Sequence, residues 1–393
     1  MIKNKKIISL SIFMSLGLLG LLFPAVGASL PGIEKYFNVG LSSSGIVSSL
    51  VQLGYALFCF TGGILSDFFG KKRVLVIGAF IYGASGILLA FSQSWMLTTA
   101  LFFIFGSGSG LIFIASNTLV IDIFPKKPGT FLNIHHTFFS LGSLIAPIIV
   151  RSLLMNGFSW FSIFRILGFM SLGLGIIILL SRMDLHTTKP SLNSKTTDIP
   201  LKIRYQKVLK EKRFIRLLVI VFLAIGVQFG IIYLLVSFLI KVRELDFGDA
   251  SLVMSAFFAL ILLGRLSCSY LVSRISSYRV VLVLLVMLVL TLIFGWLTRG
   301  AISYVLFALT GLASSGLMPT LISIASSTLE PEIRASALGL LSMAGGIGGM
   351  VVTLSITELA DYIGFNNSFT IMIVLSIISV ILFVRIIRTA VKV

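Results

Sequence analysis

Apolar residues fall into twelve long runs separated by short polar breaks. They lie at about 7–30, 42–66, 73–92, 95–123, 130–155 and 159–182, and resume at about 213–240, 249–273, 279–298, 301–328, 335–358 and 364–388. A stretch of roughly 20 apolar residues is long enough to cross the hydrocarbon core of a bilayer as a helix. The pattern therefore predicts an all-α integral membrane protein with twelve transmembrane helices in two six-helix bundles. These are residues 1–182 and 213–393, joined by a polar linker at 183–212.

Composition fits that picture. Hydrophobic residues make up 57% of the chain and charged residues 11%, well below the charged share of a water-exposed domain. A soluble enzyme and a disordered chain are both excluded on these figures. The formal net charge is +18, which in a soluble protein would suggest nucleic acid. Here the bases follow the loops. With the N-terminus inside, 24 of the 31 Lys and Arg residues fall in inside segments and 4 in outside loops. That bias places both termini in the cytoplasm, with the cell membrane as the expected location, and makes the bilayer rather than nucleic acid the partner. Lys3, Lys5 and Lys6 followed by an apolar run resemble a secretory leader. The run is long enough to span, however, and is read as the first helix. Cys59 and Cys268 lie inside apolar runs and give neither a disulfide framework nor a metal cluster. No cofactor is expected.

The linker carries Pro190 and Pro200. Its basic end, Leu201 to Arg216, reads either as an interfacial helix or as a solvated tether. Shifting the chain by 206 positions superposes Arg73-Val74 on Arg279-Val280, Gly110-Leu111 on Gly316-Leu317, Leu132 on Leu338 and Gly142 on Gly348. Duplicated halves of this kind are a transporter architecture.

Between the second and third runs stand Gly63, Asp67, Gly70, Lys71, Lys72 and Arg73. Gly63 is expected to let another helix approach closely, and Gly70 to permit a tight turn. This spacing resembles the loop signature of the major facilitator superfamily. Phe68 stands where that signature has a base, and Lys71 where Arg is usual. The resemblance implies the twelve-helix fold of that superfamily. It also implies a cytoplasmic latch in which Asp67 and Lys71 join Asp122, the acid at the end of the fourth span. Lys in place of Arg loses bidentate geometry.

In the fifth span Asn133, His136, Phe139 and Gly142 step by three along one side of a helix. The run resembles the fifth helix of fucose-permease-like members of the superfamily. The Gly-Pro-x-x-Gly signature of drug antiporters is absent, since Ala146 precedes Pro147. His136 reads as a proton carrier, a substrate ligand or a structural histidine. Gln52, Asn117 and Gln228 either line a cavity or join helices. Arg265, well inside the eighth span, must pair with something. It serves either an anionic substrate, as in carboxylate-transporting relatives, or a structural partner.

Fucose-type symporters carry a carboxylate in the first and fourth helices. Here the first run has none before Glu34, read as an outer-loop residue, and the fourth has only Asp122. Proton coupling is thus left open beside facilitated diffusion or exchange, with His136 expected to carry any pH dependence. The leading expectation is a monomeric secondary transporter, a permease or symporter, for a small polar organic solute, sugar-like first. Organic-anion transport through Arg265 and drug efflux are alternatives. A non-transporting receptor or scaffold is the different class. An enzyme is not expected, because no nucleophile–base set stands at mid-depth.

Overall fold

The computed structural model describes residues 5–124, 128–181, 201–329 and 334–390. Among them are fifteen helices. Six long ones form the first half: α1 (Lys5–Phe37), α2 (Leu41–Phe69), α3 (Lys71–Leu88), α4 (Trp95–Ile123), α5 (Pro128–Met155) and α6 (Ser162–Leu180). A short α7 (Leu201–Lys210) leads into α8 (Lys212–Arg243), α9 (Phe247–Arg274) and α10 (Ser277–Leu297). The chain continues through α11 (Gly300–Ser314), α12 (Leu317–Thr328), α13 (Arg334–Ile363), α14 (Phe365–Ser368) and α15 (Ile371–Ala390). Among the described residues, twelve helical stretches are long and apolar enough to cross a membrane. Large apolar side chains such as Leu263, Leu266, Phe169 and Leu180 are more than half exposed. Lipid accounts for an apolar exterior that water would not tolerate.

The chain divides into two compact units, Met1–Leu192 and Asn193–Val393. In the first, α1 packs on α5 and α6, α4 on α2 and α3, and α3 on α6. In the second, α8 packs on α13 and α15, α11 on α9 and α10, and α10 on α15. The two lists are the same list, read 206 positions apart.

The repeat extends to atomic contacts. A Cβ placed on Gly20 would lie 2.0 Å from the Phe139 carbonyl oxygen, and one on Gly142 would lie 2.2 Å from that of Gly17. In the second unit a Cβ on Gly348 would lie 2.0 Å from the Phe222 oxygen, and one on Gly226 would lie 2.9 Å from Gly348. Gly20 and Gly226 are 206 apart, as are Gly142 and Gly348. Bare glycine backbones thus set how closely α1 meets α5 and α8 meets α13, the means by which helices associate where no hydrophobic force drives them together. The Ser143 hydroxyl donates to the Gly20 carbonyl at 2.9 Å and fastens the first of these seams.

Three details depart from the apolar pattern. The first helix runs through Pro31 to Phe37, so Glu34 is a helical residue and not a loop acid. It is 8% exposed, and its Oε1 accepts from the Ser44 hydroxyl at 2.7 Å at the start of α2. The tenth span is broken at Ser315 and Gly316, between α11 and α12. Pro319 cannot donate to the Ser315 carbonyl one turn back, which interrupts the helical ladder there. The basic stretch after the linker is two elements: α7 ends at Lys210 and α8 begins at Lys212.

Candidate functional site

Gly70 alone separates α2 from α3. With φ 85° it occupies backbone space that other residues avoid, and its N–H donates to the Ser66 carbonyl at 3.0 Å, closing α2. The turn makes Lys71 the first residue of α3. Asp122 is the next-to-last residue of α4. The Lys71 ammonium donates to Asp122 Oδ2 at 2.6 Å, with both side chains about one quarter exposed. Each charge sits at the wrong end of its own helix: the base at an N-terminus and the acid at a C-terminus. Neither helix favours its charge alone, and the pair relieves both. The Asp67 side chain lies outside the described ones, although its backbone belongs to α2. Arg73 is exposed. Gly63 is not the close contact: a Cβ there would find its nearest neighbour at 4.0 Å. On Gly62 it would meet Ile114 at 2.8 Å and Leu111 at 3.0 Å. Adjacent helical residues point about 100° apart, and α4 lies on the Gly62 side.

Sequence reasoning missed the role of Lys72. Its ammonium donates to the carbonyls of Leu179 at 3.1 Å and Ser181 at 2.7 Å. It thus caps the C-terminus of α6, whose last carbonyls have no helical partner. One short turn thereby ties together four helix ends.

A second cluster lies deeper, on α1, α2, α4 and α5. The His136 Nε2 stands 3.0 Å from Asn117 Oδ1, and the Asn117 amide nitrogen donates to the Phe113 carbonyl at 2.7 Å. Because that nitrogen is the donor, Oδ1 accepts, and His136 carries its proton on Nε2. His135, fully buried, makes the parallel contact with Ser116 at 3.2 Å. Its partner was not readable without the register of α4 on α5. The signal was the coincidence of two adjacent polar pairs, Ser116-Asn117 and His135-His136. Aromatic rings continue the cluster. Phe113 lies 6.1 Å from the His136 ring and 5.6 Å from Tyr55, and Tyr55 lies 5.3 Å from Phe23. One helical turn before Tyr55, Gln52 is fully buried, and among the described residues neither its Oε1 nor its Nε2 has a hydrogen-bond partner. An unpaired buried polar group costs about 1–3 kcal/mol, so this amide stands ready for a partner. The Asn133 side chain lies outside the described ones.

The remaining residues belong to the second unit. Gln228 is half-buried on α8 beside the stacked Phe229 and Tyr233. Arg265 is half-buried on α9, next to Gly264. A Cβ on that glycine would lie 2.2 Å from the Ser315 hydroxyl, so α9 is seated at the break in the tenth span. Among the described residues no group of three or more His, Cys, Asp or Glu side chains could hold a metal ion.

Comparison with known proteins agrees with this architecture. A family model described as Major Facilitator Superfamily matches residues 8–309 and 244–392. The "Protein TsgA homolog" of Yersinia pestis (strain Pestoides F) is 25% identical over 354 residues, covering 88% of this chain and 86% of that protein. Among solved structures, the nucleoside transporter NupG has a TM-score of 0.77 at 18% identity, over 98% of both chains. The E. coli fucose:proton symporter FucP has a TM-score of 0.66 at 18% identity, over 95% of this chain and 98% of its own. A D-xylose-proton symporter gives 0.74 at 16% identity, over 95% and 97%. These likenesses to solved structures concern the fold.

Proposed function

The chain belongs to the Major Facilitator Superfamily and is a transporter integral to the membrane; from this premise we propose that it carries a small, neutral, hydroxylated solute of sugar-like chemistry by alternating access. The observation that carries the reading is the first unit's deep cluster. It offers a fixed amide–imidazole pair, Asn117 with His136, aromatic faces from Tyr55 and Phe113, and the unpaired amide of Gln52. Hydroxyl groups both donate and accept, so a polyol satisfies amide and imidazole together while its C–H faces lie on the rings. The structural neighbours, a nucleoside transporter and symporters of fucose and D-xylose, support the same solute class.

In this proposal Lys71 and Asp122, with Asp67 as the third member that the loop resemblance implies, form the latch that holds one conformational state closed. Gly70 shapes the turn that presents Lys71. Keeping this pair is what a transporter needs and a static scaffold does not. Both termini are assigned to the cytoplasm and the protein to the cell membrane, from the distribution of its bases. Protons are the proposed coupling ion, with His136 as the residue through which pH acts.

Arg265 supports a second reading, an anionic solute, because it is a cation within α9 beside Gly264, the residue that seats this helix at the broken span. The experiment is uptake into proteoliposomes of sugars, nucleosides and carboxylates, with and without a pH gradient. Saturable uptake of a neutral hydroxylated solute is expected. In that case Arg265→Gln, which still donates hydrogen bonds, keeps a measurable share of uptake. Uptake of carboxylates alone, kept in part by Arg265→Lys and lost in Arg265→Gln, would establish the second reading instead. Transport of no solute would support a scaffold.

A further inference from the structure

A groove of about 460 Å³ opens between α8 and α15 in the second unit, lined by Ile215, Arg216, Val219, Leu382, Arg385 and Arg388. Among the described residues that line it, three of six are arginines, all exposed, and none is acidic. Its two ends differ. On α15, Leu382, Arg385 and Arg388 follow one another at intervals of three and share a face. Arg388 lies near the helix end, and Leu382 lies about 9 Å deeper along the helix. On α8, Arg216 is in the second turn, and Val219 follows it further into the span. The groove is therefore basic where the spans end and apolar further in.

The charge is built up where it is least expected. After its N-cap Glu211, the first turn of α8 holds no acid and carries Lys212 and Arg213, although an N-terminus is already the positive end of a helix. Arg213 is engaged elsewhere, donating to the Tyr278 hydroxyl with its guanidinium over that ring. Arg216 remains directed to the groove. Arg216 stands near the positive end of α8, while Arg385 and Arg388 stand toward the C-terminus of α15. Three guanidinium groups facing one groove call for an anion whose oxygens match their fork geometry, and phosphate is that group. The apolar depth calls for a hydrocarbon chain on the same molecule. Of the spans in this unit, the one ending in α15 is the least buried, and Ile378 and Ile381 on it are 38% and 50% exposed. The groove is therefore reached from the bilayer.

We propose that this groove binds an anionic phospholipid, its headgroup phosphate held by Arg216, Arg385 and Arg388 and an acyl chain lying along Ile215, Val219 and Leu382. Basic clefts between membrane helices recognise charged headgroups on the same principles. The site is independent of the transported solute and of the residues proposed to bind it.

The test uses the full-length protein in dodecyl maltoside micelles doped with phosphatidylglycerol, phosphatidylcholine or neither, with inorganic phosphate as a soluble probe. Phosphatidylglycerol should raise the Tm by several degrees, as expected for a ligand bound well above its Kd, while phosphatidylcholine and inorganic phosphate should not. A triple substitution, Arg216→Gln, Arg385→Gln and Arg388→Gln, should abolish the response and leave the Tm in phosphatidylcholine unchanged. If the triple variant fails to fold, Arg388→Gln alone, on the last turns of α15, should weaken apparent lipid affinity about tenfold. An undiminished response in these variants, an equal shift with inorganic phosphate, or no shift in the wild type would each overturn the assignment.

Discussion

Asp122→Asn is expected to lower the rate of solute uptake roughly tenfold while leaving the amount of inserted protein unchanged. The reason lies in where the two charges stand. Lys71 opens α3 and Asp122 all but closes α4, so each faces a helix dipole of its own sign, and their 2.6 Å contact offsets both. Relief at two helix ends plus a partly exposed ion pair amounts to about 1–2 kcal/mol. The fold can lose that much without unfolding. A conformational equilibrium cannot lose it silently, since 1.4 kcal/mol is a tenfold change in the ratio of states. Exchanging the charges, Lys71→Asp with Asp122→Lys, keeps the pair and sets each charge at the end its helix favours. The exchanged protein should recover uptake that either single substitution loses. Uptake by Asp122→Asn at the wild-type rate would remove the pair from the transport cycle.

Gly20→Ala and Gly348→Ala should each lower the Tm by roughly 5–10 °C, and the valine variants should not accumulate as folded protein. Each new Cβ would fall 2.0 Å from a carbonyl oxygen, Phe139 in one unit and Phe222 in the other. Carbonyls inside a helix cannot step aside as a side-chain tip can, so the two helices must separate. The effect should be alike at both sites, because each Cβ meets a carbonyl across the corresponding seam, from α1 onto α5 in one unit and from α13 onto α8 in the other. Gly173→Ala is the control, since a Cβ there meets nothing within 4 Å. A Gly20→Ala protein as stable as that control would mean that the α1–α5 seam is not set by glycine contact.

The number of spans and their division into two similar halves were open to reading because an apolar run has one answer in a bilayer, and because Gly142 and Gly348 keep one offset. What stayed hidden depended on backbone events or on helix register. The first apolar run fades after Leu30, where Pro31 and Glu34 follow, yet both residues belong to a packed helix that continues to Phe37. The break in the tenth span was masked because Gly316 and Pro319 do not interrupt apolarity. Lys71, Lys72 and Arg73 look alike as a basic run. The loop resemblance picks out Lys71 as the partner of Asp122, but only the folded turn shows that Lys72 caps α6 and Arg73 is left exposed. Asn117 and His136 were both singled out as polar residues in apolar helices. That they meet depends on how α4 lies against α5, which one-dimensional spacing does not contain. The same register decides Gly62 over Gly63.

The central claim, that the Asn117–His136 pair binds a hydroxylated solute, is tested most directly by the concentration dependence of uptake in proteoliposomes. The solute is the one the wild type carries, and the variants are His136→Gln and Asn117→Ala. Loss of a hydrogen bond to the solute predicts a KM about tenfold higher in each variant, with the amount of folded protein preserved. A KM and maximal rate equal to wild type in both variants would contradict the account.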